Sequence, residues 1–387
     1  GPAPCAAGVV FLILWLVARD MAGGGRVSEP HRLFLTEALG LAALGTVADV
    51  VPLRGGNRLL ARFGLRALGA TTRPGLRALL DVARVNARPP TSTDIAYGLA
   101  PRLNAAGRLG SADLALELLL TDDSARGVEI AALLDRENRK RREIENGILA
   151  HARARVDAEY GPDHHGALVL ADPSWHAGVI GIVAARLADS YRRPVALVAI
   201  DGELGRGSCR SVPAVHLTEV LSKCSDHLES FGGHAAAAGF SIRPGNFEGF
   251  RRSFDEAVRL STTREDFLRR IRIDAVAPLA ILTPAVVREI ERLEPFGEGN
   301  PEPVFATRGL TIAGRPRRMG RDGEHLAFIV SDGTTSRRAV GFRMGSRQPE
   351  LEKAGLRLDI AYTPRLDTYR GDGSVELELS DVVAHDG

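Results

Sequence analysis

ALVLADPSWHAGVIGIVAARLADSYRRPVALVAI, residues 167–200, is the stretch that decides the fold class. ALVLAD (167–172) and PVALVAI (194–200) are continuous apolar runs of strand length, and GVIGIVAARLADSY (178–191) between them reads as a helix. Strand, helix and strand at this spacing form a βαβ unit, so an α/β domain is expected, beginning at Gly166 and ending near Leu260.

Upstream, Ser124 to about Tyr160 carries a long helical pattern, with Leu133, Leu134, Ile144, Ile148 and Leu149 on one side and RENRKRR (136–142) opposite. It reads as a connecting helix between domains, its charge run a solvated face rather than a DNA-facing one. Residues 32–46 read as a helix entering GTVADVVPL (45–53), where Val47–Val51 has the short, bounded character of a buried strand or its end. Asn57–Leu68 and Gly75–Ala83 are helical, and PPTST (89–93) interrupts them as a loop with a helix N-cap. Ala6–Ala18, AAGVVFLILWLVA, is too short for a membrane span, and no basic residues precede it; a buried helix packed on a sheet is expected. After LEPFGEGNPEPVF (293–305) come LTIAGRPRR, HLAFIVSDG, RRAVGFRM, RLDIAYTPRLD and VELELSDVV. Such short strand-like runs, separated by Gly, Asp and basic turns, suggest a small β-barrel of the oligonucleotide-binding (OB) type.

The 387 residues, 44% apolar and 25% charged, match ordinary globular proteins and suffice for two or three separate cores. A formal charge of +2 is no footprint of nucleic-acid binding, which would have to rest on locally placed cations. Lys140, Lys223 and Lys353 are the only lysines among 50 basic residues. A GC-rich genome explains that bias as well as phosphate binding does, so it carries no functional weight. Cys5, Cys209 and Cys224 lack the paired spacing of a zinc site and form no disulfide framework, which fits a reducing cytoplasm.

Three places carry chemistry. GRGSCRSVPAVHL (205–217) and FGGHAAAAGF (231–240) are one pair: Gly232 and Gly233 allow a ligand close to the backbone, and a helix starting in Ala235–Ala238 would offer free N–H groups to an anion held by His234 and Arg210. The same residues read equally as ordinary packing with a satisfied loop histidine. Arg102, Asn104 and Arg108 in APRLNAAGRL (100–109) could grip a phosphodiester from a turn, or be solvated residues of a helix cap. Asp49, inside an apolar run, is costly unless paired or metal-bound, so a metal ligand is the sharper reading and a turn cap the plainer one.

GTVADVVPL, APRLNAAGRL, SWHAGVIGIVAARL (174–187) with RRPV behind it, GSCRSVPAVHL (207–217), FGGHAAAAGF and LEPFGEGNPEPVF stand in the order and approximate spacing of the RecJ family of DHH phosphoesterases. The resemblance runs from about Ala6 to the C-terminus. It implies an α/β chain in which residues 1–122 are the C-terminal part of a DHH catalytic domain and 123–162 a connecting helix. Residues 163–265 would be a DHH-associated substrate-binding domain, and 266–387 an OB-like β-barrel domain with its preceding linker helix. It further implies a cytoplasmic single-stranded-DNA-specific 5′–3′ exonuclease of DNA repair and recombination, monomeric, not bound to a membrane, using two Mn2+ or Mg2+ ions. Single-stranded DNA is the expected substrate, and a single-strand-binding protein and a repair helicase are candidate partners.

By the same resemblance Asp49 is the catalytic and metal-ligating residue. Ser208, Arg210, Ser211, Gly232, Gly233 and His234 resemble the substrate-binding loops, and Arg102, Asn104, Arg108 and His176 match positions that line the cleft. Two departures stand out: Cys209 replaces a usual glycine, and the Asp-His-His that names the family is expected ahead of Gly1. Asp163-His164-His165 does not replace it, because it precedes a strand; a solvated loop is expected there. One aspartate cannot hold two ions that each want about six ligands, so a fragment that binds nucleic acid weakly and cleaves little or nothing is expected. Two alternatives stay open. A DHH phosphodiesterase for short oligonucleotides or cyclic dinucleotides is disfavoured by the strand pattern from Leu310 to Val383, and the other is a non-catalytic binding module that has lost its metal site.

Overall fold

Apolar residues recur every three to four positions through the first third of the chain, and helices follow. They are α1 (Ala6–Met21), α2 (Glu29–Ala48), α3 (Gly55–Gly69), α4 (Pro74–Val82), α5 (Ala100–Leu109) and α6 (Asp113–Leu120), with one π-helical turn, Asp94–Leu99, running into α5. The computed structural model describes residues 1–85, 88–161, 164–353, 357–367 and 373–385. The chain divides into two units: residues 1–71, 88–96 and 270–387 form one, and residues 72–87 and 97–269 form the other.

In the first unit α2 and α3 lie close because Gly64 faces the Leu39 carbonyl, which any Cβ there would overlap. The strand expected at Val47–Val51 is absent: α2 continues to Ala48 and Asp49 is its C-cap. Val50 then turns left-handed at φ 55° and Pro52 keeps the chain from resuming a helix. α1 packs on α2 but buries only Gly8 and Ala18, while Val10, Ile13, Leu16, Val17 and Met21 are more than half exposed. The expected burial of α1 therefore does not hold among the described residues, where only one side of the helix has a partner. None of the described helices is long and apolar enough to cross a membrane.

α7 (Ser124–Glu159) starts at Asp123, whose carboxylate accepts from the N–H groups of Ala125 (2.8 Å) and Arg126 (3.3 Å). Beyond it lie β1 (Leu168–Asp172), α8 (Ala177–Tyr191), β2 (Val195–Asp201), β3 (Leu204–Arg210), α9 (Leu217–Lys223), β4 (Ser230–Gly233), β5 (Ala237–Ile242) and α10 (Phe247–Ser261). The strands form one sheet in the order β1-β2-β3-β5-β4, with β1 and β2 parallel as the βαβ reading requires and the others antiparallel. Alternation along β2 feeds two cores. Val195, Leu197 and Ala199 meet α7 and α8 on one face, while Ala196 and Val198 meet Phe250 and Phe254 of α10 on the other.

The charge run on α7 is only partly solvated. Helical periodicity turns Asn138, Arg141 and Glu145 inward, and all three are buried. Arg141 donates from Nη1 to Glu145 Oε2 (2.8 Å) and from Nε and Nη2 to Asn138 Oδ1 (3.2 and 3.0 Å). Arg186 of α8 donates to the other Glu145 oxygen at 2.8 Å.

The chain then returns to the first unit through β6 (Ala275–Val276) and α11 (Pro284–Glu291). A barrel follows from β7 (Phe305–Met319), β8 (His325–Ser331), β9 (Ser336–Gly341), the short α12 (Gln348–Leu351), β10 (Arg357–Leu366) and β11 (Val375–His385). The order β7-β8-β9-β11-β10 closes back on β7, with the single parallel contact of the ring between β9 and β11. Leu326, Phe328, Leu358, Tyr362 and Leu377 fill its interior. LEPFGEGNPEPVF ties the barrel to the start of α3: Leu53 N–H donates to the Glu298 carbonyl (2.7 Å), Arg54 Nε to that of Gly299 (2.6 Å), and Arg58 to that of Leu293 (2.6 Å).

Of the Asp163-His164-His165 string, Asp163 lies outside the described residues, and His164 is packed rather than solvated. Its ring lies 4.7 Å edge-on from Tyr160, 3.0 Å from the Ala167 carbonyl and 3.5 Å from Asp255. Burial lowers its pKa, Asp255 opposes the shift, and Arg259 and Arg193 add to it.

Two outcomes follow from this packing. The unfolded chain takes up a proton near the ordinary histidine pKa of about 6.5, before the native chain does. The urea midpoint of the unit holding residues 97–269 should therefore fall as pH drops below that value, and H164Q should flatten the fall; an unchanged pH profile in H164Q would contradict this account. E145Q should destabilise the same unit by about 3 kcal/mol, since it leaves Arg141 buried without a counter-charge. The exposed E143Q should cost less than about 0.5 kcal/mol, and equal urea midpoints for the two variants would exclude the network as a stabilising element.

Candidate nucleic-acid interface

Strand alternation places Arg206, Ser208 and Arg210 on one face of β3, while Cys209 points into the core on the other. Gly207 has to be glycine because the ring of Phe240 lies against it. The β3 face meets the first turns of α8. His176 caps that helix, its Nδ1 accepting the Gly178 N–H at 3.1 Å, and the Ala177 N–H has no partner among the described residues. A groove of about 500 Å³ runs along this junction, lined among others by Ala177, Ile180, Arg206, Ser208, Phe231 and Gly232.

Arg108 approaches the same helix end from α5, its Nη1 donating to the Gly178 carbonyl at 3.3 Å. Arg210 donates from Nη1 to Ser208 Oγ (3.1 Å) and to the Cys209 carbonyl (2.7 Å), and its Nη2 makes no hydrogen bond among the described residues. Burial lowers the Arg210 pKa, the Cys209 thiol opposes the shift, and Arg108 adds to it. Burial likewise lowers that of Arg141, with Glu145 opposing and Arg142 and Arg108 reinforcing. Arg108 and Arg210 thus lie close enough to repel one another beside the positive end of a helix dipole, and such a place suits a phosphate group.

Of the residues singled out by sequence, Ser208 and Gly232 line this groove and three adjoin it: His176 caps α8, Arg108 reaches the Gly178 carbonyl and Arg210 donates to Ser208. The others do not. Arg102 is committed to Asp135 (2.9 Å) and to the carbonyls of Gly98 (2.6 Å) and Val82 (3.3 Å). Burial works to raise the Asp135 pKa, but Arg139 and Arg102 outweigh it and hold the carboxyl below the usual range. APRLNAAGRL is therefore a helix rather than a turn, and Asn104 is an exposed residue of it. The Ser211 hydroxyl donates to the carbonyls of Val212 (3.1 Å) and Val215 (2.7 Å), a structural role.

FGGHAAAAGF is a hairpin, not the start of a helix. Gly233, at φ 144°, allows β4 to approach Ala238 so closely that a Cβ there would lie 2.5 Å from its Cα, and His234 N–H donates to the Ala237 carbonyl at 2.8 Å. His234 sits exposed at the tip, away from the groove lining. Asp49 is exposed at the end of α2 instead of lying in a buried strand. No group of three or more His, Cys, Asp or Glu able to hold a metal ion occurs among the described residues. Among the described residues the donors are thus too few to hold by themselves a divalent cation, which takes about six ligands.

Sequence reading missed Arg206, an exposed residue lining the groove. The period-two alternation from Arg210 back to Arg206 was the available signal. On the barrel it missed Phe342, 53% exposed and edge-on to His325 at 5.2 Å, with exposed Arg317, Arg318, Arg321 and Arg343 on the neighbouring strand and turns.

Residues 164–260 match the DHHA1 domain family and residues 273–381 the RecJ OB domain family. The single-stranded-DNA-specific exonuclease RecJ of Thermus thermophilus is 37% identical over 366 residues, covering 94% of this chain and 50% of that protein. The crystal structure of T. thermophilus RecJ in complex with Mn2+ superposes with a TM-score of 0.84 at 33% identity, over 99% of this chain and 54% of that one. Its Mg2+ complex gives 0.81 at 32% identity, over 99% and 56%. The chain spans about half the length of these relatives. With similarity running through nearly all of its residues and with both a DHHA1 and a RecJ OB domain in place, the chain belongs to the RecJ family.

Proposed function

We propose that this chain grips the substrate strand of a single-stranded-DNA-specific 5′–3′ exonuclease. The observation that carries the reading is the groove at the α8 end, lined by Arg206 and Ser208 and adjoined by Arg210 and Arg108 beside the helix N-terminus. Phosphates of the strand sit against the guanidinium groups. On the barrel, β8, β9 and the turn before β8 form the face that OB folds use for oligonucleotides. There Phe342 offers a stacking surface, with Arg317, Arg318 and Arg321 for the backbone.

In this reading residues 1–122 complete the C-terminal side of a DHH catalytic domain, 123–162 connect, 163–265 hold the strand and 266–387 track it. Asp49 supplies one ligand of a Mn2+ or Mg2+ site. A single carboxylate does not complete such a site, so the chain by itself binds single strands and cleaves little. A single-strand-binding protein and a repair helicase are the partners that such an enzyme would meet, and a monomer suffices for the task.

Fluorescence anisotropy with labelled oligo(dT) and a duplex of the same length tests the reading, alongside release of a 5′ label in Mn2+. Single strands should bind more tightly than duplex, and R206A and R210A should each weaken that binding about tenfold, the scale of one lost charge-assisted contact. Equal affinity for single strand and duplex, with no loss in either variant, would overturn it. Rapid release of the label by this chain alone would overturn the assignment of Asp49 as an incomplete site.

A further inference from the structure

The first two turns of α8 contain two glycines three residues apart, Gly178 and Gly181, although glycine is a poor residue for a helix interior. Both face a group described above. A Cβ at Gly178 would overlap the carbonyl oxygen of Arg108. A Cβ at Gly181 would have as its three nearest atoms Ser208 Oγ at 2.9 Å, Arg210 Nη2 at 3.1 Å and Arg210 Cζ at 3.7 Å.

Resting on the reading of the groove as a phosphate-binding site, we infer that Gly181 is a positioning residue whose missing side chain seats the Arg210 guanidinium and the Ser208 hydroxyl against α8. Two separate observations point to this. First, the three atoms nearest a Cβ at Gly181 all belong to the Ser208–Arg210 pair, so a methyl group there presses on the pair before anything else. Second, Arg210 is fixed on one side only: Nη1 is held by Ser208 Oγ and the Cys209 carbonyl, while the free Nη2 is the atom of the guanidinium nearest Gly181. Space beside α8 therefore sets where the unbound edge of the guanidinium lies relative to the helix N-terminus and Arg108. Gly178 differs in kind, since it meets backbone of α5 and its replacement would shift α5 itself.

The contrast gives a test in which a purely structural role and a positioning role move in opposite directions. Alanine is the stronger helix former, so G181A should keep or raise the thermal midpoint. It should nevertheless weaken binding of 5′-phosphorylated oligo(dT) about tenfold, because the guanidinium has to move by several tenths of an ångström from its seat. In an S208A background, where the closest atom to the new methyl is gone, the loss caused by G181A should shrink to about threefold or less, as expected of contacting residues. The measurement is anisotropy for wild type, G181A, S208A and the double variant, with thermal midpoints recorded for each. Wild-type affinity in G181A would overturn the inference while leaving the groove reading intact. Equal losses from G181A in the two backgrounds would also overturn it, by placing the effect outside the Ser208–Arg210 pair. Failure of wild type to bind the oligonucleotide would sink the groove reading, and the inference with it.

Discussion

Glu145 accepts hydrogen bonds from two guanidinium groups, one on its own helix and one on α8, in a place where water is nearly excluded. Much of the second unit depends on that contact. It fixes the rotation of α7 against α8, since a turn of either helix about its axis would leave a buried charge unpaired. With the rotation fixed, α8 presents its N-terminal turns to β3 on one side and to Arg108 on the other. Apolar packing between α7, α8 and the sheet contributes more area, but it would tolerate small slips that a carboxylate held between two arginines does not.

The same motif can hide opposite roles. Arg102 and Arg108 lie six positions apart on α5, yet one is occupied by Asp135 and the other remains open beside α8. Nothing local separates them, because the deciding partner is 33 residues away in the chain. The βαβ unit and the barrel were legible from period and punctuation, and the five runs after residue 305 became five strands. Ala235–Ala238 was not, because helix propensity is a weak local preference and β5 is paired along both edges, with β3 and with β4. Asp49 misled for a related reason. A short apolar run such as Val47–Val51 fits either a strand or a helix end, and packing of α2 on α3 decides between them.

LEPFGEGNPEPVF was conspicuous in sequence without an assigned task. Its carbonyls from Leu293 to Gly299 accept from Leu53, Arg54 and Arg58, so it binds the barrel to the segment that immediately follows Asp49. A glycine-rich turn is suited to this because Gly297 and Gly299 bring backbone against Leu53 and Pro52, where side chains would intrude.

The first unit is assembled mainly from the two ends of the chain, residues 1–71 and 270–387, while the second is nearly contiguous in sequence. On a ribosome this imposes an order. The 97–269 core can close as soon as α10 has emerged, whereas α1 to α3 wait for the barrel strands that complete their unit. At about 5–20 residues per second the roughly 240 residues from Arg58 to Gly299 take about 12–48 s, during which Leu53, Arg54 and Arg58 lack their partners. The apolar face of α3 that the finished unit buries, Leu60, Leu65 and Leu68 among it, then waits in a nascent chain, a form in which exposed hydrophobic surface invites chaperones or aggregation.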